Sequence, residues 1–384
     1  MMFEFATANR IIFGNGTLNK VGEIAPGFGK RALVIGGSGS VPMVDLLGIL
    51  EQKAIKYNIF RVGKEPDVPT IIAGLDLARS FECEFVIAYG GGSVIDSSKA
   101  IAALMTNPGK LMDYLEVIGQ GQKIPKQAAP MIALPTTAGT GAEVTRNAVI
   151  SSPEHHIKVS MRSPKMIPTV AIVDPELTIT MPPSVTASTG MDALTQVIES
   201  YTSQKANPLT DLIAREGIQC GARSLLAAYQ DGEDINARED MALTSLFGGL
   251  ALANAGLGAV HGFAGPIGGM FNAPHGEVCA SLLPHVIKAN AQKIGQLDGM
   301  DALIDRYQEI AVLLTGDPQA TIQDGVVWIS ELAKNLKIPG LREMGITKDD
   351  FPRIIEKSKA ASSMKKNPVE LDETILEAIL NDAY

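Results

Sequence analysis

The sequence predicts a parallel α/β domain followed by an all-helical domain, and three observations support this fold class. Before residue 180, short apolar runs alternate with helix-like segments, as in a parallel sheet covered on both faces. After Pro182-Pro183 the strand-like runs disappear, and helical patterns follow at residues 184–203, 209–229, 237–254, 276–290 and from 300 onward. The length of 384 residues also exceeds one ordinary compact core. We therefore expect domains at residues 1–180 and 181–384.

The predicted sheet contains four buried strands, each a continuous apolar run. They span residues 31–35, 85–89, 131–134 and 170–173, and helices are predicted between them, for example at residues 69–80 and 93–105. The first three strands end in runs rich in glycine, serine and threonine. Because parallel sheets bind ligands outside the carboxyl ends of their strands, we expect a ligand at these loops.

Composition and charge exclude several classes of protein. The chain has 33 Lys and Arg against 42 Asp and Glu, a net charge of −9, which argues against an extended nucleic-acid surface because neutralising phosphates needs a dense basic face. A hydrophobic share of 46% is typical of a buried core and excludes extended disorder. Residues 1–10 lack the apolar segment of a signal peptide, and no run has the character of a membrane span. We expect a soluble cytoplasmic protein that binds neither nucleic acid nor membranes.

Cysteine usage points away from a disulfide framework. Cys83, Cys220 and Cys279 lie far apart, and their number is odd. The sequence has no CxxC pair, so a thiolate zinc knuckle is not indicated either. No function is predicted for any of the three thiols.

A glycine turn follows the second predicted strand and opens a helix at Gly90-Gly91-Gly92-Ser93. Unpaired backbone amides and the positive end of the helix dipole suit a pyrophosphate there, and glycines let the phosphate approach closely. The same residues would also make a tight strand-to-helix turn capped by Ser93. The turn is neither a GxGxxG fingerprint nor a P-loop, so by itself it leaves both interpretations open.

A second polar loop follows the third predicted strand. Thr136, Thr137 and Thr140, together with Gly139 and Gly141, place three hydroxyls and two glycines at the strand end. Such a loop can hydrogen-bond a cofactor, although a polar surface loop would have a similar composition. Two such loops at the ends of neighbouring strands favour a nucleotide site.

The helical half contains a candidate metal site. Asp192 and Gln196 are four residues apart and share one helix face, while His261 and His275 lie fourteen residues apart further along. One carboxylate and two imidazoles suit Fe(II) or Zn(II) with an open coordination position. Isolated histidines are more often structural, so these residues alone leave the metal interpretation open.

Together, these motifs resemble the iron-containing (group III) alcohol dehydrogenases. The resemblance covers essentially the whole chain and rests, in order, on Gly90-Gly91-Gly92-Ser93-x-x-Asp96-x-x-Lys99, Pro135-Thr136-Thr137-x-Gly139-Thr140-Gly141-x-Glu143, Val173-Asp174-Pro175, Gly190-Met191-Asp192-Ala193-Leu194-Thr195 and Pro274-His275-Gly276. It implies a dehydroquinate synthase-like fold, with a Rossmann-like dinucleotide-binding domain, a helical metal and substrate domain, and the metal and alcohol in the cleft between them. It also implies a homodimer or higher homo-oligomer.

The resemblance also implies roles for individual residues. Gly91, Gly92 and Ser93 would bind the pyrophosphate, and Asp96 would lie near the contacts on the nicotinamide side. The rest of the cofactor would be contacted by Thr136, Thr137, Thr140, Asn147 and Lys158, the last two near the nicotinamide ribose or ring edge. Asp192, His261 and His275 match three of the four metal ligands and are the predicted catalytic residues.

Two positions depart from the family pattern. Gln196 stands where the family usually has a fourth ligand, a histidine, and Gly265 stands where it usually has another histidine. A glutamine carbonyl is neutral and less basic than imidazole, so with Gln196 as fourth ligand we expect weaker binding of metals such as Zn(II). The glycine removes a group that could handle a proton.

The function implied by the resemblance is an NAD(P)-dependent, metal-dependent dehydrogenase that interconverts a small alcohol and its aldehyde or ketone. A reductase of a keto acid such as maleylacetate is an alternative, for which Gln196 argues and the trio Asp192, His261 and His275 argues against. A relative that binds the cofactor without catalysis is the other alternative, supported by the two missing histidines.

The end of the first predicted strand bears on the choice between NAD and NADP. A carboxylate placed there would bind the ribose 2′-hydroxyl and repel a 2′-phosphate. The positions after the strand read Gly36-Gly37-Ser38-Gly39-Ser40, and the next acid is Asp45. Gly37 leaves space, and Ser38 and Ser40 can donate to a phosphate. We therefore expect NADP(H) to be weakly favoured, since the turn contains no arginine to bind the phosphate strongly.

Overall fold

The computed structural model describes residues 2–38, 42–63, 65–155, 157–271 and 273–384. Gly39 and Ser40 of the predicted ribose turn lie outside the described residues. The chain divides into two compact units, one of Ala6–Met181 and one of Pro182–Tyr384 together with the N-terminal residues up to Phe5. Each unit is described by itself below.

The first unit is an α/β unit. Its strands are β1 (Arg10–Phe13), β2 (Arg31–Gly37), β3 (Lys56–Val62), β4 (Phe85–Gly90), β5 (Met131–Pro135), β6 (Asn147–Ser152), β7 (Ile157–Arg162) and β8 (Val170–Val173). Its α-helices are α1 (Val21–Ile24), α2 (Val44–Gln52), α3 (Val68–Ser80), α4 (Gly92–Thr106) and α5 (Leu111–Tyr114). The four predicted strands are confirmed as β2, β4, β5 and β8, and the two predicted helices as α3 and α4.

Six strands form one parallel sheet in the order β1-β8-β5-β4-β2-β3, while β6 and β7 form a separate antiparallel hairpin. The predicted α/β class is confirmed. Sequence analysis missed β1 and β3, and the sheet order explains why: both are edge strands. Edge strands are only half covered, and the partly exposed alternation of β3 contains no continuous apolar run.

Both faces of the sheet are buried. Along β2, Leu33 and Ile35 pack into one apolar cluster with α3 and α4, whereas Ala32 and Val34 pack into a second cluster on the opposite face. Successive side chains of a strand point to opposite faces, so a strand buried on both sides must be apolar at every position. This is the physical reason that a continuous apolar run predicted the central strands correctly.

The order of strands changes direction between β2 and β4. From β2 the chain passes to β3 on one side and then returns to β4 on the other side. Ligands of doubly-wound sheets bind at this type of switch point, outside the carboxyl ends of the two strands. The register places Gly36 beside Tyr89 and Gly90 beside Pro135. The predicted loops after β2, β4 and β5 therefore lie side by side at the carboxyl ends of adjacent strands.

The second unit is helical. Its α-helices are α6 (Pro183–Thr202), α7 (Pro208–Gln230), α8 (Ile235–Ala255), α9 (Ala259–Phe271), α10 (His275–Ile294), α11 (Asp301–Thr315), α12 (Ile322–Asn335), α13 (Phe351–Ala360) and α14 (Glu373–Asp382). The predicted helical character is confirmed, but sequence analysis missed α9. Four glycines and the internal Pro266 lower its intrinsic propensity, and burial of Phe263 and Ile267 in tertiary packing compensates.

Among the described residues, no single helix is both long and apolar enough to cross a membrane. Helices α8 and α9 reach that length and composition only as a pair, which is bent by 100°. The run at residues 243–260 spans the bend between these two helices.

Glycine at position 276 allows α10 to lie directly against α6. A Cβ atom at Gly276 would be only 2.0 Å from the Ser188 carbonyl oxygen. Ser188 precedes Asp192 by one helical turn, and Gly276 follows His275, so this backbone contact brings two predicted metal ligands towards each other.

We predict that Gly276→Ala lowers the free energy of unfolding by about 1–3 kcal/mol, because α10 must move away from α6 to admit the methyl group. Thermal or urea unfolding measures the change. Gly265→Ala on α9 is the control: apart from its chain neighbours and the adjacent backbone of α9, no described residue places an atom within 4 Å of its added Cβ, and this variant should be neutral or slightly more stable. Equal stability of wild type and Gly276→Ala would contradict the proposed backbone constraint.

Candidate functional site

Four potential metal ligands converge in the helical unit. Asp192 on α6, His261 on α9, and His275 and Cys279 on α10 have donor atoms that all lie within 4.8 Å of one another. The Asp192 Oδ1 atom is 3.1 Å from His261 Nε2 and 3.8 Å from His275 Nε2, and Cys279 Sγ is 3.9 Å from His261 Nε2. The structure therefore brings together Asp192, His261 and His275 as the sequence suggested, and adds Cys279.

Burial separates one of these ligands from the others. Asp192, His261 and Cys279 are buried, whereas the side chain of His275 keeps 38% of its surface exposed. His275 is the first residue of α10, and Cys279 follows one turn later on the same face. His275 is therefore the accessible member of the cluster.

Glu199 holds His261 in one orientation. One of its carboxylate oxygens accepts a hydrogen bond from His261 Nδ1 at 2.7 Å, and the other accepts from the Val260 amide at 2.6 Å. A carboxylate can only accept, so Nδ1 carries a proton, and Nε2, which lies 3.1 Å from Asp192 Oδ1, is the nitrogen that would give up its proton and bind a metal. The same carboxylate accepts hydrogen bonds from the Val260 and His261 amides in the first turn of α9. The helix dipole favours a negative charge at this end of a helix. A carboxylate behind a histidine is the usual arrangement at metal sites.

The four clustered groups stabilise one another's charges. Burial alone would raise the pKa of Asp192, but the hydrogen bond from His261 and the charge of His275 outweigh burial and lower it. Burial alone would lower the pKa of His261, but Cys279, Asp192 and Glu199 outweigh it and raise that pKa well above its usual value.

The pKa values of His275 and Cys279 are also shifted in the direction that favours the charged forms. The pKa of His275 is raised because Cys279 and Asp192 outweigh burial, and the pKa of the Cys279 thiol is lowered because the two histidines do so. Binding of a divalent cation would release the protons of the two imidazolium groups, whereas the shifts of Asp192 and Cys279 already favour the deprotonated forms that bind a cation. The donor set therefore fits a divalent transition metal.

Gln196 and Gly265 occupy the two positions that depart from the family pattern. The buried Gln196 hydrogen-bonds Asp192, and its Oε1 atom has no hydrogen-bond partner among the described residues. A Cβ atom at Gly248 would be 2.8 Å from this oxygen, so the oxygen lies against α8. Gly265 is exposed on α9. Ligation of a metal by Gln196 stays a prediction.

Sequence analysis missed Glu199 and Cys279, although helical spacing could have found both. Cys279 follows His275 by four residues, and Glu199 follows Asp192 by seven, so each shares a helix face with a predicted ligand. Because α9 was not predicted, sequence analysis could not identify the helix that Glu199 and Cys279 both contact.

The predicted cofactor loops of the α/β unit contact each other. Gly91 is the N-cap of α4 and Gly92 its first residue. A Cβ atom at Gly91 would be 3.0 Å from Thr137 Oγ1, and one at Gly92 would be 2.9 Å from Thr140. The threonine loop therefore packs on the glycine turn. These glycines allow close packing within the protein, in addition to any approach of a phosphate.

Asp96 and Lys99 connect α4 to the hairpin of β6 and β7. Asp96 accepts a hydrogen bond from the Val149 amide at 2.9 Å and pairs with Lys99 at 2.9 Å. The fully buried Lys99 also donates to the carbonyl of Asn147 at 2.5 Å. The structure thus brings Asp96 and Asn147 together through Lys99, and their contacts with a nicotinamide stay predictions.

Two further predicted cofactor residues have partners within the α/β unit. Lys158 on β7 forms an ion pair with Glu65 at 2.6 Å. Thr136 is buried, and its amide donates to the Gly90 carbonyl at 3.1 Å, which links the threonine loop to the end of β4. Ser93 lies in the first turn of α4 next to these contacts.

An arginine reaches the end of β2 from the neighbouring strand. Arg61 on β3 is paired in register with Gly36, and its guanidinium donates to the Gly37 carbonyl at 2.8 Å. Ser38 donates to the Gly63 carbonyl at 3.2 Å. Sequence analysis considered only the turn itself, so it missed a cation supplied by β3.

Comparison with known proteins agrees with this arrangement. The sequence model of the iron-containing alcohol dehydrogenases matches residues 8–175, and that of the Fe-containing alcohol dehydrogenase family C-terminal region matches residues 186–384. The chain belongs to the iron-containing alcohol dehydrogenase family. It is therefore an oxidoreductase, an NAD(P)-dependent alcohol dehydrogenase.

Similar proteins cover its whole length. "Alcohol dehydrogenase 4" of Saccharomyces cerevisiae strain YJM789 is 36% identical over 97% of this chain and 96% of that protein. The "NADPH-dependent butanol dehydrogenase" of Clostridium saccharobutylicum is 33% identical over 100% of this chain and 98% of its own. A solved structure of "1,3-propanediol oxidoreductase" is 34% identical, with a TM-score of 0.92 and full coverage of both chains.

We predict that Glu199→Gln weakens binding of a divalent metal by roughly 10–100-fold, because the amide cannot accept from both the His261 ring and the Val260 amide. Competition between the protein and a chromogenic chelator measures the affinity. Glu331→Gln makes the same chemical change at an exposed position of α12 and should leave the affinity unchanged. Equal affinities for all three proteins would show that Glu199 has no role behind His261.

Proposed function

We propose that this alcohol dehydrogenase depends on a divalent metal, Fe(II) or Zn(II), and interconverts a small alcohol and its aldehyde or ketone. The observation that carries the proposal is the convergence of Asp192, His261 and His275 donor atoms within 4.8 Å. In this proposal, residues 1–180 form the dinucleotide-binding domain and residues 181–384 the helical metal and substrate domain. A cytoplasmic location and a homodimer or higher homo-oligomer stay predictions from the sequence.

Asp192, His261 and His275 would hold the metal, which supplies polarisation of the carbonyl oxygen and stabilises alkoxide charge when bound. Glu199 keeps the proton of His261 on Nδ1, so that Nε2 offers a lone pair. The exposed edge of His275 provides the accessible side of the cluster. Burial of Asp192 and His261 keeps water away from these two side chains. Charged groups attract each other more strongly where water is excluded.

The α/β unit would hold the nicotinamide cofactor, which supplies or accepts the hydride when bound. The pyrophosphate would be bound by the first amides of α4 at Gly91, Gly92 and Ser93, which have no intrahelical acceptor. Thr137 and Thr140 pack on this turn and would line the cofactor beside it. Gly37 and Ser38 at the end of β2 would face the adenosine ribose.

Several features favour NADP(H) at that ribose. Position 37 has no side chain, so no carboxylate repels a 2′-phosphate, and Arg61 places a guanidinium beside its carbonyl. A guanidinium binds phosphate through charge-assisted hydrogen bonds. A relative with 33% identity is named for its dependence on NADPH, which supports the same preference.

We predict a higher kcat/KM with NADPH than with NADH, measured by steady-state oxidation of each cofactor. Arg61→Ala should lower kcat/KM for NADPH roughly tenfold and spare NADH, on the scale of one exposed hydrogen bond to a charged group. Lys56→Ala removes a positive charge at the other end of β3 and should change neither value.

A Gly37→Asp variant is the complementary test, since like-charge repulsion should reduce NADPH use and spare NADH. A preference of the wild type for NADH would refute the assignment. If Gly37→Asp impaired both cofactors equally, the placement of the ribose at this turn would be wrong.

Metal dependence and substrate class can be tested in one assay. Chelated enzyme should oxidise NADPH slowly with a panel of small aldehydes, and added Fe(II) or Zn(II) should restore the rate. His275→Ala should lose both the metal and the rate, whereas His285→Ala, on the same helix but outside the cluster, should retain them. Metal-independent reduction of a keto acid would support the maleylacetate-type alternative. Cofactor binding without turnover of any substrate would support a non-catalytic relative.

A further inference from the structure

We propose that the thiolate of Cys279 is the fourth protein ligand of the metal, in place of Gln196, and that the site is consequently a zinc site of mixed carboxylate, imidazole and thiolate character. The inference rests on the proposed metal site at Asp192, His261 and His275. It concerns a residue that neither the sequence motifs nor the family resemblance pointed to.

Three of the six distances between donor atoms are close to those of tetrahedral zinc, and all six are within 4.8 Å. Zinc bonds of about 2.0–2.1 Å to nitrogen or oxygen and 2.3 Å to sulfur place neighbouring donors about 3.3–3.6 Å apart. The Asp192–His261, Asp192–His275 and Cys279–His261 donor distances are 3.1, 3.8 and 3.9 Å. These distances differ from the tetrahedral range by a few tenths of an ångström, a change that rotation of side chains can supply.

Gln196 is oriented away from this role. Its hydrogen bond to the Asp192 carboxylate must be donated by the amide nitrogen, since a carboxylate only accepts. Its carbonyl oxygen, the atom that could bind a metal, lies against Gly248 on α8. Turning the amide round would place that oxygen against the Asp192 carboxylate. Gln196 therefore acts as a positioning residue that orients Asp192.

Cys279 is placed by the helix that carries an established member of the cluster. It lies four residues after His275 on α10, so both side chains project from one face towards α6 and α9. Its side chain is fully buried, and its sulfur lies among two imidazoles and a carboxylate. A thiolate is a softer ligand than a glutamine carbonyl and favours zinc over harder cations.

Cobalt substitution gives a readout that is independent of enzyme activity. The chelated full-length protein is loaded with Co(II), and its absorption spectrum is recorded. Visible ligand-field bands report bound cobalt, and an intense near-ultraviolet band from thiolate-to-cobalt charge transfer reports a Co–S bond. We expect both in the wild type, together with about one zinc per chain by elemental analysis of protein loaded with Zn(II).

Variants assign the Co–S bond to one thiol. Cys279→Ser and Cys279→Ala should lose the charge-transfer band and bind Zn(II) at least about 100-fold more weakly, the upper end of what even groups behind the ligands cost. Cys220→Ser is the control, since this thiol is equally buried in the helical unit, on α7, but lies outside the cluster. It should retain both the band and the affinity.

A double variant tests the exchange of ligands directly. Gln196→His combined with Cys279→Ser replaces the thiolate with an imidazole on α6. We expect it to recover at least tenfold of the lost affinity without recovering the charge-transfer band. Failure of Gln196→His to improve the affinity of Cys279→Ser would contradict the exchange of a fourth ligand.

The outcomes separate this inference from the proposed function. Visible cobalt bands without a charge-transfer band in the wild type would overturn the role of Cys279 and leave the metal site of Asp192, His261 and His275 intact. No bound cobalt or zinc in the wild type would overturn the metal site itself and the Cys279 inference with it. The wild-type spectrum alone can overturn either proposal, whatever the folding of the variants, and loss of the band in Cys279→Ser with its retention in Cys220→Ser assigns the Co–S bond to Cys279.

Discussion

The backbone contact between α10 and α6 is the constraint on which the metal-binding cluster depends. Gly276 lies so close to the Ser188 carbonyl that a Cβ atom would be 2.0 Å from the oxygen. Asp192 follows Ser188 by one turn on α6, and His275 precedes Gly276 on α10, so one contact sets the separation of a carboxylate and an imidazole. Cys279 reaches the same place one turn later. A side chain at position 276 would push α10 away from α6, and His275 and Cys279 away from Asp192 with it.

Burial makes the charges of this cluster depend on one another. Charges removed from water are costly unless they are paired and hydrogen-bonded, and removal of one partner leaves the others uncompensated. Asp192, His261 and Cys279 are buried together, and Glu199 supports His261 from behind while binding the first amides of α9. The residue that orients an imidazole also fixes the helix that carries it. Glu199 therefore contributes both to the stability of α9 and to the geometry of the metal-binding cluster.

In the α/β unit, packing and ligand binding both favour glycine in the turn at residues 90–93. Gly91 and Gly92 lie so close to Thr137 and Thr140 that an added Cβ atom would push against the threonine side chains. Packing therefore favours glycine in this turn even without a phosphate to bind. What distinguishes it from an ordinary turn is its position at the carboxyl ends of β4 and β5, beside the point where the order of strands changes direction.

The sequence by itself determined the central strands, most helices, the family motifs and the trio Asp192, His261 and His275, because continuous apolar runs, helical periodicity and short motifs are local properties of the chain. Only the tertiary structure decided the features that depend on which element lies beside which. The edge strands β1 and β3 are half covered, and α9 is stabilised by burial against the propensity of its glycines. Arg61 reaches Gly37 because β3 pairs with β2, while Glu199 and Cys279 meet His261 because α6 and α10 both pack near α9. Such contacts join residues that are 18 to 62 positions apart: a local pattern can place a side chain on a helix face, but it does not identify the element that the side chain meets.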